Sequence, residues 1–251
     1  MLQVHDQAII PYGHIGMFDD DGIMPACAMS VEDEIWLYYS GWNQRVTIPY
    51  HNTTGLAKSF DGGITFVRAF DGPILDRTHL EPWMSVTPWV IRSHSLWRIW
   101  YVSGLRWVQI DGRLEPVYGI KYGESDDGIH WRRPGDLVIP QRHPNEAIAR
   151  PTVIEVGGAY HMWYCFRDSV DFRDGAGSYR IGYAFSPNGR EWQRADHLAG
   201  IDRSAEGWDS TMLCYPYLLG TQNRIYLFYN GNGFGQTGFG CAVWEGELPS
   251  P

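Results

Sequence analysis

A beat of about 63 residues constrains this chain more than any other feature. Four aromatic runs carry it: Ile35-Trp36-Leu37-Tyr38-Tyr39-Ser40-Gly41, Ile99-Trp100-Tyr101-Val102-Ser103-Gly104, Met162-Trp163-Tyr164-Cys165-Phe166-Arg167 and Tyr226-Leu227-Phe228-Tyr229-Asn230-Gly231. They end at 41, 104, 167 and 231, in steps of 63, 63 and 64. A proline opens an apolar run before each, at Pro25, Pro88, Pro151 and Pro216, in steps of 63, 63 and 65. Two markers in phase define tandem repeats, and a period of this size points to stacked supersecondary units.

Within a repeat the pattern is that of short strands. A run rich in small residues follows each aromatic run, at 55–59, 118–122, 180–186 and 238–242. Asp61-Gly62, Asp127-Gly128 and Asn188-Gly189 come next and predict tight type I′ turns. Phe66, Trp131 and Trp192 then open a fourth strand. No segment keeps a helical period over about 11 residues. The expected fold is therefore all-β, a β-propeller of four-stranded antiparallel blades, as one domain over residues 1–251. A sandwich would not keep this beat, and a β-helix repeat is shorter. The last repeat lacks its fourth strand. Residues 7–11 match 136–140, so the two termini are expected to close one blade and hide an edge.

Composition narrows the function. The 251 residues carry a net charge of −9, which disfavours nucleic acid and anionic membranes as partners. No apolar stretch approaches the ~18 residues of a membrane span. Residues 1–6 lack a basic start followed by an apolar core, so the chain is expected in the cytoplasm. Cys27, Cys165, Cys214 and Cys241 are far apart and read as buried free thiols. Nine histidines form no HxxxH or HxH pair, and neither a metal nor a cofactor is called for.

The pattern Pro-x-Val-Ile, Tyr-x-Met-Trp-Tyr, then Tyr-x-Ile-Gly-Tyr-Ala-x-Ser-x-Asn-Gly-x-x-Trp resembles the five-bladed propeller glycosidases. These are the arabinanases and xylosidases of glycoside hydrolase family 43, the invertases and levanases of family 32 and the mannoside phosphorylases of family 130. The likeness runs from about Gly16 to Ala242. Those enzymes have five blades and four repeats are counted here. The chain is thus expected to be four-bladed, or five-bladed with one blade missing.

In a propeller the innermost strands line the channel, so residues before the marker prolines should lie near one mouth. Each repeat has a carboxylate there: Asp19-Asp20-Asp21, Glu81, Glu146 and Asp209. Glycoside hydrolysis needs one protonated acid and one ionised carboxylate. The resemblance implies Asp20 or Asp21 as base, Glu81 or Asp209 as modulator and Glu146 as acid. The catalytic set is then Asp20, Asp21, Glu146 and Asp209. Asp19-Asp20-Asp21-Gly22 reads equally as a solvated turn. Arg150 suits a substrate carboxylate or phosphate, or equally a structural ion pair. Arg167-Asp168 breaks the Ser-Gly or Asn-Gly pattern at the end of its aromatic run, a pointer to function or to a buried salt bridge. Trp42, Asn43, Trp107 and Asn232, with Glu81, complete the expected substrate-binding set, since rings cover sugar C–H faces while amides bond hydroxyls. Most other aromatics read as core.

Three functions compete. A glycan-active hydrolase with paired channel carboxylates leads. A carbohydrate-binding propeller without turnover is the second and a protein-interaction scaffold the third. The expected partner is a carbohydrate or glycoconjugate, and a homo-oligomer stays open.

Overall fold

A computed structural model of the protein describes residues 8–249 apart from 94, 174, 222 and 223. The strands are β1 (Gly22–Val31), β2 (Glu34–Gln44), β3 (Tyr50–Ser59), β4 (Val67–Arg68), β5 (Ser85–Ser93), β6 (Leu96–Ile110) and β7 (Arg113–Ser125). They continue as β8 (Glu146–Val156), β9 (Ala159–Asp168), β10 (Arg180–Ser186), β11 (Gln193–Arg194), β12 (Cys214–Gly220), β13 (Ile225–Asn230) and β14 (Phe239–Trp244). Among the described residues helix is confined to single turns at Asp196–Leu198 and Asn232–Gly235. The sheets run β1-β2-β3-β4, β5-β6-β7, β11-β10-β9-β8 and β12-β13-β14. Each repeat seen in the sequence is thus one antiparallel sheet. Among the described residues no helix is long and apolar enough to cross a membrane.

The chain divides into two compact units. The first comprises residues 1–99 and 123–133. It holds the first sheet, with β5 packed against β1, β2 and β3. The aromatic run of β2 is buried on both faces, because neighbours cover each. Tyr39 and Leu37 join Ile10, Phe18 and Ala57 in one cluster. Trp36 stacks on Trp97 with centroids 5.3 Å apart.

The second unit comprises residues 100–122 and 134–251. It holds the third sheet and the last sheet, with β12 packed on β8 and β9. Trp100 and Trp163 are fully buried, and each indole N–H has a carbonyl partner: Gly189 O at 2.9 Å and Ala199 O at 3.0 Å. A buried indole needs such an acceptor.

Three of the four marker prolines, Pro25, Pro151 and Pro216, fall at irregularities of the first strand of their sheet. Register shifts between Pro25 and Cys27, Ala149 and Thr152, and Cys214 and Tyr217. A proline cannot donate to the ladder, so it sits where the ladder is already broken. The residue before it is left-handed in three repeats, with φ of 43° at Thr87, 57° at Arg150 and 56° at Tyr215. Such values are uncommon for residues other than glycine.

Three expectations are corrected. First, the Asp-Gly and Asn-Gly pairs do not form type I′ turns. Positive φ occurs at Gly62, Gly128 and Gly189 but not at the residue before each. The connections are longer loops: β3 ends at Ser59 and β4 begins at Val67. A serine and an Asx side chain organise them. Ser59 Oγ accepts from Gly63 N, and Asp61 Oδ1 accepts from Ile64 N and Thr65 N. Ser125 with Asp127, and Ser186 with Asn188, repeat the device. Second, residues 8–11 form no closing strand, and Gln7 lies outside the described residues. Ile10 is drawn into the first sheet's core, and the last sheet has three strands among the described residues. Third, Cys241 is exposed, whereas Cys27, Cys165 and Cys214 are buried free thiols. Burial pushes the Cys165 thiol up to about 12.

Candidate functional site

The carboxylates that lead into the innermost strands fall into two kinds. The first kind is clamped by an arginine from the outer part of the same repeat. Arg68, on β4, donates to Asp19 Oδ2 at 2.8 Å and to Pro11 O. Arg133 pairs with Glu81 Oε2 at 3.3 Å and donates to Asp76 O at 2.9 Å. Arg194, on β11, holds both oxygens of Glu146 at 2.7 Å and donates to Pro140 O. In each case one guanidinium ties a buried acid to the segment that leads into the strand. Asp19, Glu81 and Glu146 are at most 1% exposed. A buried carboxylate needs such a partner. Asp196 extends the third clamp, contacting Arg194 at 2.9 Å, Arg142 at 2.5 Å and the Tyr164 hydroxyl.

Asp20 is of the second kind. It follows the clamped Asp19 and opens on a cleft of about 430 Å³ lined by Gly16, Asp20, Asp21, Asn43, Gln44 and Arg45. Gly16 N–H donates to Asp20 Oδ2 at 2.8 Å and Asn43 Nδ2 donates to Oδ1 at 2.6 Å. The Gly16 amide first, then the Asn43 amide, hold the Asp20 carboxyl below the usual carboxylate range. Asp20 is thus an oriented, ionised acceptor beside open space. Asp21 is exposed on the same cleft and accepts from Gln44 Nε2 at 3.3 Å.

Asp209 has no cation paired with it among the described residues. It is 6% exposed and accepts one hydrogen bond, from the Tyr229 hydroxyl at 3.2 Å. Burial, and then that carboxylate, push the Tyr229 phenol up, so it stays a donor.

The strand-end polar residues expected to bind sugar make hydrogen bonds that pin loops. Asn43 Nδ2 also donates to Met17 O at 2.6 Å. Asn232 Oδ1 accepts from Thr211 N and Met212 N, and its Nδ2 donates to Gly207 O at 3.0 Å. Trp42 is half-buried against Tyr50, 4.6 Å between rings, and Trp107 is half-buried on β6. Arg150 is half-buried in the β8 irregularity.

Arg167 is buried among neutral groups. Its Nε faces the Tyr118 and Tyr179 hydroxyls at 3.2 and 3.1 Å, Nη1 donates to Ser169 Oγ and Nη2 to Pro116 O. The Phe172 ring covers it at 3.7 Å. Its neighbour Asp168 turns to the Val170 amide at 2.8 Å and to His143 at 3.8 Å. Arg167 and Asp168 therefore do not form the salt bridge weighed from the sequence.

Sequence reasoning misses Arg68, Arg133 and Arg194. Their signal is present: an arginine stands two residues after each of Phe66, Trp131 and Trp192, close to the same beat.

No family model matches the chain. It is 36% identical over 246 residues to the uncharacterized proteins MT1551 and Rv1502 of two Mycobacterium tuberculosis strains, covering 98% of this chain and 79% of each relative. Among solved structures, that of a BT0996–RGII complex superposes with a TM-score of 0.71 at 18% identity, over 95% of this chain and 74% of the other. A thermostable family-43 glycoside hydrolase gives 0.57 at 15% identity, over 93% and 90%. A family-130 structure, from work on glycoside hydrolases that target β-1,2 mannosidic linkages in Candida mannan, gives 0.59 at 16% identity, over 85% and 61%. The fold is therefore all-β, of the propeller type found in these glycoside hydrolases.

Proposed function

The chain belongs to the family of the uncharacterized Mycobacterium tuberculosis proteins MT1551 and Rv1502, and from that membership and its fold we propose that it is a glycan-active enzyme of the glycoside hydrolase kind. One observation carries the reading. Asp20 is kept ionised and oriented at an open cleft, free of the arginines that occupy the neighbouring acids. Asp20 then acts as the base or nucleophile on a sugar. Asp21 and Gln44 supply further polar contacts to hydroxyls. Glu81 and Glu146 serve the fold through their clamps, and the acid of the pair is not assigned to them.

The same clamps favour a second reading, carbohydrate binding without turnover, because they remove two of the acids the resemblance offered. A chromogenic glycoside screen with Asp20→Asn and Asp21→Asn separates the two. Turnover that falls at least about 100-fold in Asp20→Asn, with an unchanged circular dichroism spectrum, supports the enzyme. Glycan binding by the parent protein without any turnover supports the second reading. Full activity in Asp20→Asn sinks the assignment of Asp20.

A further inference from the structure

The last sheet repeats the first in its details, with one part absent. In the first sheet Phe18 stacks on Tyr39 at 5.9 Å, and the Tyr39 hydroxyl donates to Asp19 at 3.0 Å. In the last sheet Trp208 stacks on Tyr229 at 5.5 Å, and the Tyr229 hydroxyl donates to Asp209 at 3.2 Å. Aromatic, acid and tyrosine keep the same spacing, 18-19-39 against 208-209-229. The first sheet completes the set with Arg68 from its fourth strand. The last sheet has no fourth strand among the described residues.

Among the described residues no strand pairs with the outer edge of β14. Residues alternate between exposed and half-buried along β14, with Phe239 72% and Val243 42% exposed. An unpaired edge is a template for another strand. From this pattern the geometry points to β14 as an acceptor for an arginine-bearing extended segment of a partner polypeptide. The segment adds antiparallel to β14 and its guanidinium pairs with Asp209. The interaction is strand addition, with main-chain hydrogen bonds for affinity and the buried acid for specificity.

Charge and length favour this occupant over a second copy. Pairing β14 with itself presents Phe-Gly-Cys-Ala-Val-Trp, which has no cation, and leaves Asp209 uncompensated. Residues 245–249 add Glu245 and Glu247 near the edge, again suited to a basic segment. The matched span is 79% of the relatives' length, so about a fifth of each relative lies outside it.

The probe is a labelled peptide copying residues 188–196, which contains this protein's own fourth strand β11 and Arg194. It is titrated against the full chain by fluorescence anisotropy, beside a peptide with Arg194→Ala. The expected result is saturable binding, at least tenfold weaker with the altered peptide or with an Asp209→Asn chain, and slowed amide exchange over 239–244. The altered peptide leaves the chain untouched, so its folding is not in question. Equal binding of both peptides, no binding at millimolar concentration, or a chain that is already dimeric with protected β14 amides overturns the proposal.

Discussion

The first and last sheets contain one module twice, and among the described residues the last lacks the fourth strand that brings Arg68 to the first. Phe18, Asp19 and Tyr39 in one correspond to Trp208, Asp209 and Tyr229 in the other. Glycines make room for both rings. A methyl group on Gly41 would strike the Phe18 ring and Asp19, and one on Gly231 would strike Trp208. With Arg68 present, Asp19 is fully buried and its loop is tied to Pro11 O. With no such partner, Asp209 rests on one phenol. The difference teaches that the acid at this position belongs to sheet assembly first. Asp20, one residue further along, is the acid that lines the cleft.

The largest expected effect tests the completed module. Arg68→Ala strands the Asp19 carboxylate in the core, which costs about 3–5 kcal/mol. Chemical denaturation of the variant measures it. Adding Asp19→Asn to Arg68→Ala should recover part of the loss, because no buried charge then remains. A loss under about 1 kcal/mol in Arg68→Ala would show that the first sheet does not depend on its clamp, and the contrast with the last sheet would collapse.

The intermediate effect tests what the two modules share. Gly41→Ala and Gly231→Ala each force a methyl into a ring already in contact, so each should cost about 1–3 kcal/mol. Denaturation midpoints should fall by similar amounts in both. If only Gly41→Ala is costly, the last sheet's ring stack is looser than its 5.5 Å spacing suggests.

The strand order inside each repeat is legible because hydrophobic and aromatic residues recur with the blade, and the marker prolines set its phase. The backbone at those prolines is not legible. Nothing local says that Thr87, Arg150 and Tyr215 turn left-handed, since none is a glycine. The Ser-x-Asx-Gly loops read as tight turns for a related reason: the dipeptide is the same, and only the side-chain bonds from Ser59 and Asp61 reveal a longer loop. The acids are visible in the sequence but their roles are not. An ion pair such as Glu146–Arg194 joins residues 48 apart, so no local pattern announces it. Asn43 and Asn232 stand out as polar strand ends, yet their loop-pinning bonds to Met17 O and Gly207 O depend on tertiary geometry.

The smallest effect is the sharpest test of the comparison, because its sign is the opposite of intuition. Asp209 is 6% exposed, and removing a buried charge usually removes half of an ion pair. Here among the described residues no cation stands opposite it, so Asp209→Asn removes a desolvated charge whose one donor is neutral. Asparagine keeps an oxygen for the Tyr229 hydroxyl. The two changes offset, and stability should stay within about 1 kcal/mol of the parent, with a gain more in keeping with the geometry than a loss. Asp19→Asn alone should instead be clearly destabilising, since Arg68 then loses its carboxylate. Parallel urea titrations of the two variants compare them directly. Equal losses would mean that Asp209 is compensated as Asp19 is, and that the last sheet already has its fourth contact.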